Sequence, residues 1–225
     1  VYWAGVNNFY ILGANGVTDI PCTVWDFVFQ NLNSTYQTKV RCATNSMYNE
    51  VTWYFPSSSS TGENDSYVKY NSTRKEWDYG LLSRTAWTDT SVLGNPIGTD
   101  TAGFIWQHEL TNDAGGVAMN PSFKSGWWAI NDGNELAFID WIIPDFKFGT
   151  YSGAKTASVL VTFYAVDYPG DPVRTYGPYT VTSATEYLNV RIRGRLLSMM
   201  AESQDLGSFW RLGRVRYRWQ QSGRR

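Results

Sequence analysis

Glu50-Val51-Thr52-Trp53-Tyr54-Phe55-Pro56 runs into the serines Ser57 to Ser60, then Ser66-Tyr67-Val68-Lys69-Tyr70, the turn Asn71-Ser72-Thr73 and Glu76-Trp77-Asp78-Tyr79. β-Branched and aromatic runs broken by proline, serine and asparagine predict short strands that double back, a three-strand meander. The same signature lies upstream. Phe9-Tyr10-Ile11-Leu12 meets Gly13-Ala14-Asn15-Gly16, whose Asn-Gly pair supplies the positive φ of a tight hairpin, and Val17-Thr18-Asp19-Ile20 returns. It recurs downstream, where Gly103-Phe104-Ile105-Trp106-Gln107-His108 follows the loop Gly98-Thr99-Asp100-Thr101. From Phe9 to Val51 is 42 positions and from Val51 to Phe104 is 53, close to the period of propeller blades. About two to three blades fit, whereas a closed propeller needs at least about four. The remainder is expected from an upstream segment or other subunits, or the ring stays open. Thr23 to Leu32 is the one stretch that reads as helical, with Thr23 as its cap.

Beyond about Gly126 the pattern lengthens. Trp127-Trp128-Ala129-Ile130, Asn131-Asp132-Gly133-Asn134 and Leu136 to Ile143 predict a hairpin that Pro144 stops. Ala157 to Val166 is a β-branched and aromatic run, reversed by Tyr168-Pro169-Gly170-Asp171-Pro172 before Tyr179-Thr180-Val181-Thr182. The fold expected is therefore all-β, with partial propeller blades over residues 1–123 and a sandwich-like β domain over 124–225.

The 225 residues are 43% hydrophobic, 16% aromatic and 17% charged, far from the profile of a disordered chain. Nineteen Lys and Arg against twenty Asp and Glu leave a net charge of −1, which excludes a polybasic nucleic-acid binder overall. The distribution is uneven. From Glu186 onward nine arginines face Glu186, Glu202 and Asp205, a local +6 against −7 for everything before it. On a strand, Arg191, Arg193 and Arg195 share one face with Val190 and Ile192 on the other; Arg214, Arg216 and Arg218 do likewise, opposite Val215, Tyr217 and Trp219. Two such stripes facing each other would repel, so they call for phosphates, carboxylates or open water. These six arginines are the candidate partner-facing or phosphate-facing residues.

Chemistry is sparse. Cys22 and Cys42 are too few for a disulfide scaffold and read as packed thiols in a reducing compartment. His108 is the sole histidine, so no typical zinc shell is furnished; no metal or other cofactor is expected. No Gly-x-Gly-x-x-Gly, Walker loop or Gly-x-Ser-x-Gly elbow occurs. His108 beside Glu109 is a general-base candidate without an identifiable nucleophile, and Asp132, Asp140 and Asp145 are carboxylates that a glycosidase pair would need. Asn33-Ser34-Thr35, Asn64-Asp65-Ser66 and Asn71-Ser72-Thr73 match the glycosylation sequon but read as turns. No apolar run reaches the ~18 residues of a membrane span. The chain begins Val1-Tyr2-Trp3, without an initiator Met, and reads as part of a longer or trimmed polypeptide.

Several segments together carry a resemblance. Asn49 to Ser57, Glu63 to Val68, Trp77-Asp78-Tyr79-Gly80 and Arg84-Thr85-Ala86-Trp87 look like the blade pattern of the tail nozzle, tail hub or packaged-DNA stabilisation proteins of tailed bacteriophages. Ile142 to Phe146, Arg193-Gly194-Arg195, Phe209 to Gly213 and Gly223-Arg224-Arg225 resemble the C-terminal part of that family. The resemblance implies a non-enzymatic virion protein, assembled in the host cytoplasm into a homo-oligomeric ring, commonly a hexamer. Such a ring sits below the portal and adaptor, contacts other tail proteins, and lines or closes the channel through which packaged double-stranded DNA leaves. A carbohydrate-binding or glycan-cleaving propeller, stacking sugars on exposed Trp and Tyr, is the alternative expectation.

Overall fold

The strand Glu50–Phe55 (β5) is buried along nearly its whole length on both faces, as only the middle layer of a stack can be. In this computed structural model, which describes residues 1–150 and 157–223, the chain divides into two compact units, Val1–Leu110 and Thr111–Arg225. Both are all-β; the helical content of the described residues is one short α-helix and two 3-10 turns.

In the first unit Tyr2–Ala4 (β1), Phe9–Gly13 (β2) and Gly16–Ile20 (β3) form an antiparallel sheet. The β2–β3 hairpin is the expected one, with Gly13 opposite Gly16 and only Gly16, at φ 97°, left-handed. Arg41–Asn45 (β4), β5, Ser66–Asn71 (β6) and Glu76–Leu81 (β7) make a four-stranded meander, the expected three strands plus β4. Ala86–Thr88 (β8), Ile97–Thr99 (β9) and Ile105–Gln107 (β10) make a third small sheet.

The three sheets stack in chain order. Phe9, fully buried, places its ring 4.6 Å from Trp53 and 4.8 Å from Trp77, so β1–β3 cover one face of the meander. Tyr54 points the other way, 6.1 Å from Trp87 of β8. The helix Trp25–Phe29 (α1) joins the first face through Phe27 and Phe29. It is shorter than expected, and Val24 rather than Thr23 occupies its N-cap without a side-chain bond. The sequon asparagines do turn work: Asn33 accepts from the Thr35 amide at 3.2 Å, and Asn71 accepts from those of Thr73 and Arg74. Cys42 is exposed on β4 rather than packed, because β4 is an edge strand; Cys22 is half-buried.

The second unit is a two-layer sandwich. One sheet runs Ser122–Lys124 (β11), Leu196–Glu202 (β18), Val159–Val166 (β15) and Arg174–Val181 (β16), with Trp128–Ala129 (β12) also on β18. The other runs Leu188–Gly194 (β17), Ala137–Ile143 (β13) and Arg216–Gln221 (β20); Phe146–Thr150 (β14) and Ser208–Leu212 (β19) pair beside it. Val159, Val161, Phe163 and Ala165 from β15 meet Ile139, Ile142, Val190 and Ile192 across the core.

Two expectations are corrected. Trp128–Ala129 and β13 do not form a hairpin: Asn131, Asp132 and Gly133 are all left-handed, and this turn sends β12 to β18 and β13 to the other sheet. The division near residue 123 also moves, because Ser122–Lys124 already pairs with Met200–Glu202 of the second unit.

Candidate partner-docking face

Strand β13 holds the centre of the arginine-bearing sheet, with β17 on one side and β20 on the other. Ala137 and Ile139 face the core, and so does Ile142, because a register shift between Ile139 and Trp141 resets the alternation. Asp140 lies on the outer face between the two basic strands, immediately before the residues whose facing is reset by the bulge. Without it, the alternation would carry Asp140 outward but turn Trp141 and Ile143 into the core in place of Ile142.

The stripes therefore never oppose each other directly, and the carboxylates they call for come partly from this chain. Arg218 donates from Nε and Nη2 to both oxygens of Asp140, at 2.9 and 2.7 Å. That bidentate bond holds the Asp140 carboxyl below its ordinary range. Arg216 reaches Asp145 only at 4.0 Å, and the Arg214 amide donates to the same carboxylate at 3.1 Å. Arg193 spans the face to donate to Ser222, from Nε to Oγ at 3.1 Å and from Nη2 to the carbonyl at 3.2 Å.

Arg191 is exposed, and neither it nor the Arg214 guanidinium has an ion-pair or hydrogen-bond partner among the described residues. Arg195 belongs to neither stripe: it lies between β17 and β18, half-buried, with Nη1 donating to the Gly133 carbonyl at 2.8 Å and its guanidinium over the Tyr168 ring. Arg224 and Arg225 fall outside the described residues.

A further arginine enlarges the patch. Arg174 of β16 pairs with Asp167 through both nitrogens and donates to the Arg193 carbonyl at 2.9 Å. The Asp167 carboxyl is held low, first by the hydrogen bond from Arg174 and also by the charges of Arg174, Arg193 and Arg195. Six basic against ten acidic residues give the first unit −4, and thirteen against ten give the second +3. The charge boundary read from the tail lies inside the second unit, whose residues 111–185 carry −3, so its basic excess sits in the strands after Glu186.

The structure separates His108 from its sequence neighbour. Its Nε2 accepts from Nε of Arg84 at 2.9 Å, whereas Glu109, at φ 59°, accepts from Asn45 at 2.9 Å. Arg84, 8% exposed, makes no ion pair among the described residues. Its stem lies over Gly98, where an added Cβ would meet Cδ at 2.9 Å. Gly98 is opposite both Trp87 and Trp106, so the missing side chain leaves room for the Arg84 stem, whose guanidinium lies 5.7 Å from the Trp106 ring centroid. Sequence reasoning missed Arg84; a glycine centred in a Trp-rich sheet was its one signal. Of the acidic candidates, Asp140 and Asp145 are engaged by the basic strands and Asp132 sits in the left-handed turn. Among the described residues no His, Cys, Asp and Glu cluster could hold a metal, and no helix is long and apolar enough to cross a membrane.

No protein-family model and no curated protein matches the chain.

Proposed function

We propose that the chain is a structural subunit of a tailed-bacteriophage virion, a ring-forming nozzle or hub protein below the portal and adaptor that helps retain packaged DNA and forms part of its exit channel. The observation that carries this is the segregated basic face of the second unit, with Arg191 and Arg214 left without an acidic partner among the described residues. Guanidinium groups in that state suit docking on an acidic subunit surface. A lumen densely lined with them would bind phosphates and slow passage, so the face is assigned to subunit or adaptor contacts. The serial stacking of three small sheets in the first unit supports the blade reading, since such modules gain burial by adding neighbours around an axis. The role is passive and non-enzymatic, and the protein acts in the virion.

The test is negative-stain microscopy of the purified chain and of its parent particle. Symmetric rings at the neck or tail are expected, and Arg191→Glu with Arg193→Glu should abolish them in a particle-assembly assay. Normal particles from that variant, or a chain that stays monomeric in particle extracts, would defeat the reading. The alternative of a glycan-binding propeller is favoured by exposed rings such as Trp25 and Tyr79; glycan-array binding would select it.

A further inference from the structure

The apolar face of β20 is only half covered. Tyr217 and Trp219 pair with Ile142 and Ile139, which are each 2% exposed, yet they are themselves 38% and 39% exposed. The opposite sheet stops short of them. Beneath this overhang is a cleft of about 370 Å³ lined by Phe123, Trp128, Met199, Leu212, Val215 and Tyr217. Trp128, 5.4 Å from the Tyr217 ring, reaches across. Among the described residues, no strand pairs with the outer edge of β20, so its outward amides and carbonyls form an open template.

The outer face of the same edge is basic. Arg211 of β19 and Arg214, Arg216 and Arg218 of the following stretch alternate with the inward Leu212, Val215, Tyr217 and Trp219. Arg218 is satisfied by Asp140; Arg216 is 4.0 Å from its nearest carboxylate, and Arg211 and Arg214 have no acidic partner among the described residues.

We infer that β20 is a strand-acceptor edge for an extended segment of another protein subunit that alternates acidic with large apolar residues. Main-chain hydrogen bonds continue the sheet, the acidic side chains fall beside Arg214 and Arg216, and the apolar ones drop over Tyr217 and Trp219 into the cleft. Charge complementarity and the period-2 match select this occupant over DNA: phosphate contacts would use the arginines but leave the cleft and the ladder unused. The inference deepens the assembly reading and rests on it only in taking the partner to be a protein subunit.

The probe is a synthetic peptide of about nine residues, a typical strand or slightly longer, alternating glutamate with valine and leucine, titrated into the full chain by calorimetry. Micromolar binding is expected. A scrambled peptide of equal composition, a lysine-for-glutamate peptide, and one of two peptides N-methylated on alternate nitrogens should each bind at least about tenfold more weakly. Arg214→Glu with Arg216→Glu should lose as much while keeping the circular dichroism and thermal midpoint of the parent chain. Equal binding of the scrambled and both methylated peptides overturns the inference, as does binding of a duplex oligonucleotide without the peptide. Rings that persist without peptide binding also overturn it and leave the assembly reading standing. Peptide binding by a chain that never forms rings sinks the assembly reading and leaves the acceptor edge.

Discussion

Arg84 donates to His108 from Nε to Nε2 at 2.9 Å, so the imidazole serves a buried cation as an acceptor and must be neutral at that nitrogen. Burial first, and the adjacent Arg84 charge second, lower the His108 pKa to about 4. The unfolded chain, near the ordinary value of about 6.5, binds the proton more readily. This contribution to stability is complete above about pH 6.5 and is lost as pH falls towards 4. Discounted for partial exposure, it is of order 1–2 kcal/mol. Urea titrations at pH 7 and pH 4.5 should show that loss in the parent chain and a smaller one in His108→Gln; identical pH dependence of the two would refute the assignment.

The space over Gly98 makes its own prediction. An alanine there would set Cβ 2.9 Å from Arg84 Cδ and 3.0 Å from the Trp87 ring, displacing the buried Arg84 side chain from its place over Gly98. Gly98→Ala should destabilise the first unit by about 1–3 kcal/mol, read from denaturant midpoints. Gly13→Ala, where an added Cβ meets nothing within 4 Å, should stay within about 0.5 kcal/mol.

Gly194 sets a parallel requirement in the sandwich. Its added Cβ would approach Ala165 Cβ at 2.9 Å and the Val166 carbonyl at 3.1 Å, where β17 ends against β15. Gly194→Val should cost at least about 2 kcal/mol in chemical denaturation followed by near-ultraviolet dichroism.

Asn64 is 3% exposed, and its Nδ2 donates to the Lys39 carbonyl at 3.0 Å and the Arg84 carbonyl at 3.1 Å. Asn64→Ala leaves two carbonyls short of a donor and should lower stability by about 1–3 kcal/mol, measured by urea denaturation.

What the sequence disclosed was local. The β2–β3 hairpin, the β5–β6–β7 meander and the β15–β16 pair each carry their turn residues between their strands, so adjacency in sequence became adjacency in space. The β17–β13–β20 order was hidden, because partners some 50 to 80 positions apart leave no turn between them to read. The arginine alternation predicted the exposed face of β17 well, yet could not reveal that Asp140, on the outer face of β13 between the two basic strands, already satisfies Arg218. Nor could it separate Arg195 from the stripe, since a change of sheet begins one residue earlier than the pattern ends. Trp127 to Ile143 misled because an Asp-Gly pair is a hairpin signal only when two residues turn; here three consecutive left-handed residues redirected the chain.

That change of sheet has a mechanical side. β17 and β18 belong to opposite layers, and Arg195 alone joins them, its amide tied to the Val166 carbonyl at 3.0 Å. One residue spans at most about 3.6 Å, so neither layer can slide over the other without stretching this tether. A load applied to one face is passed at once to the other, and the second unit should yield as a single body under shear instead of peeling strand by strand.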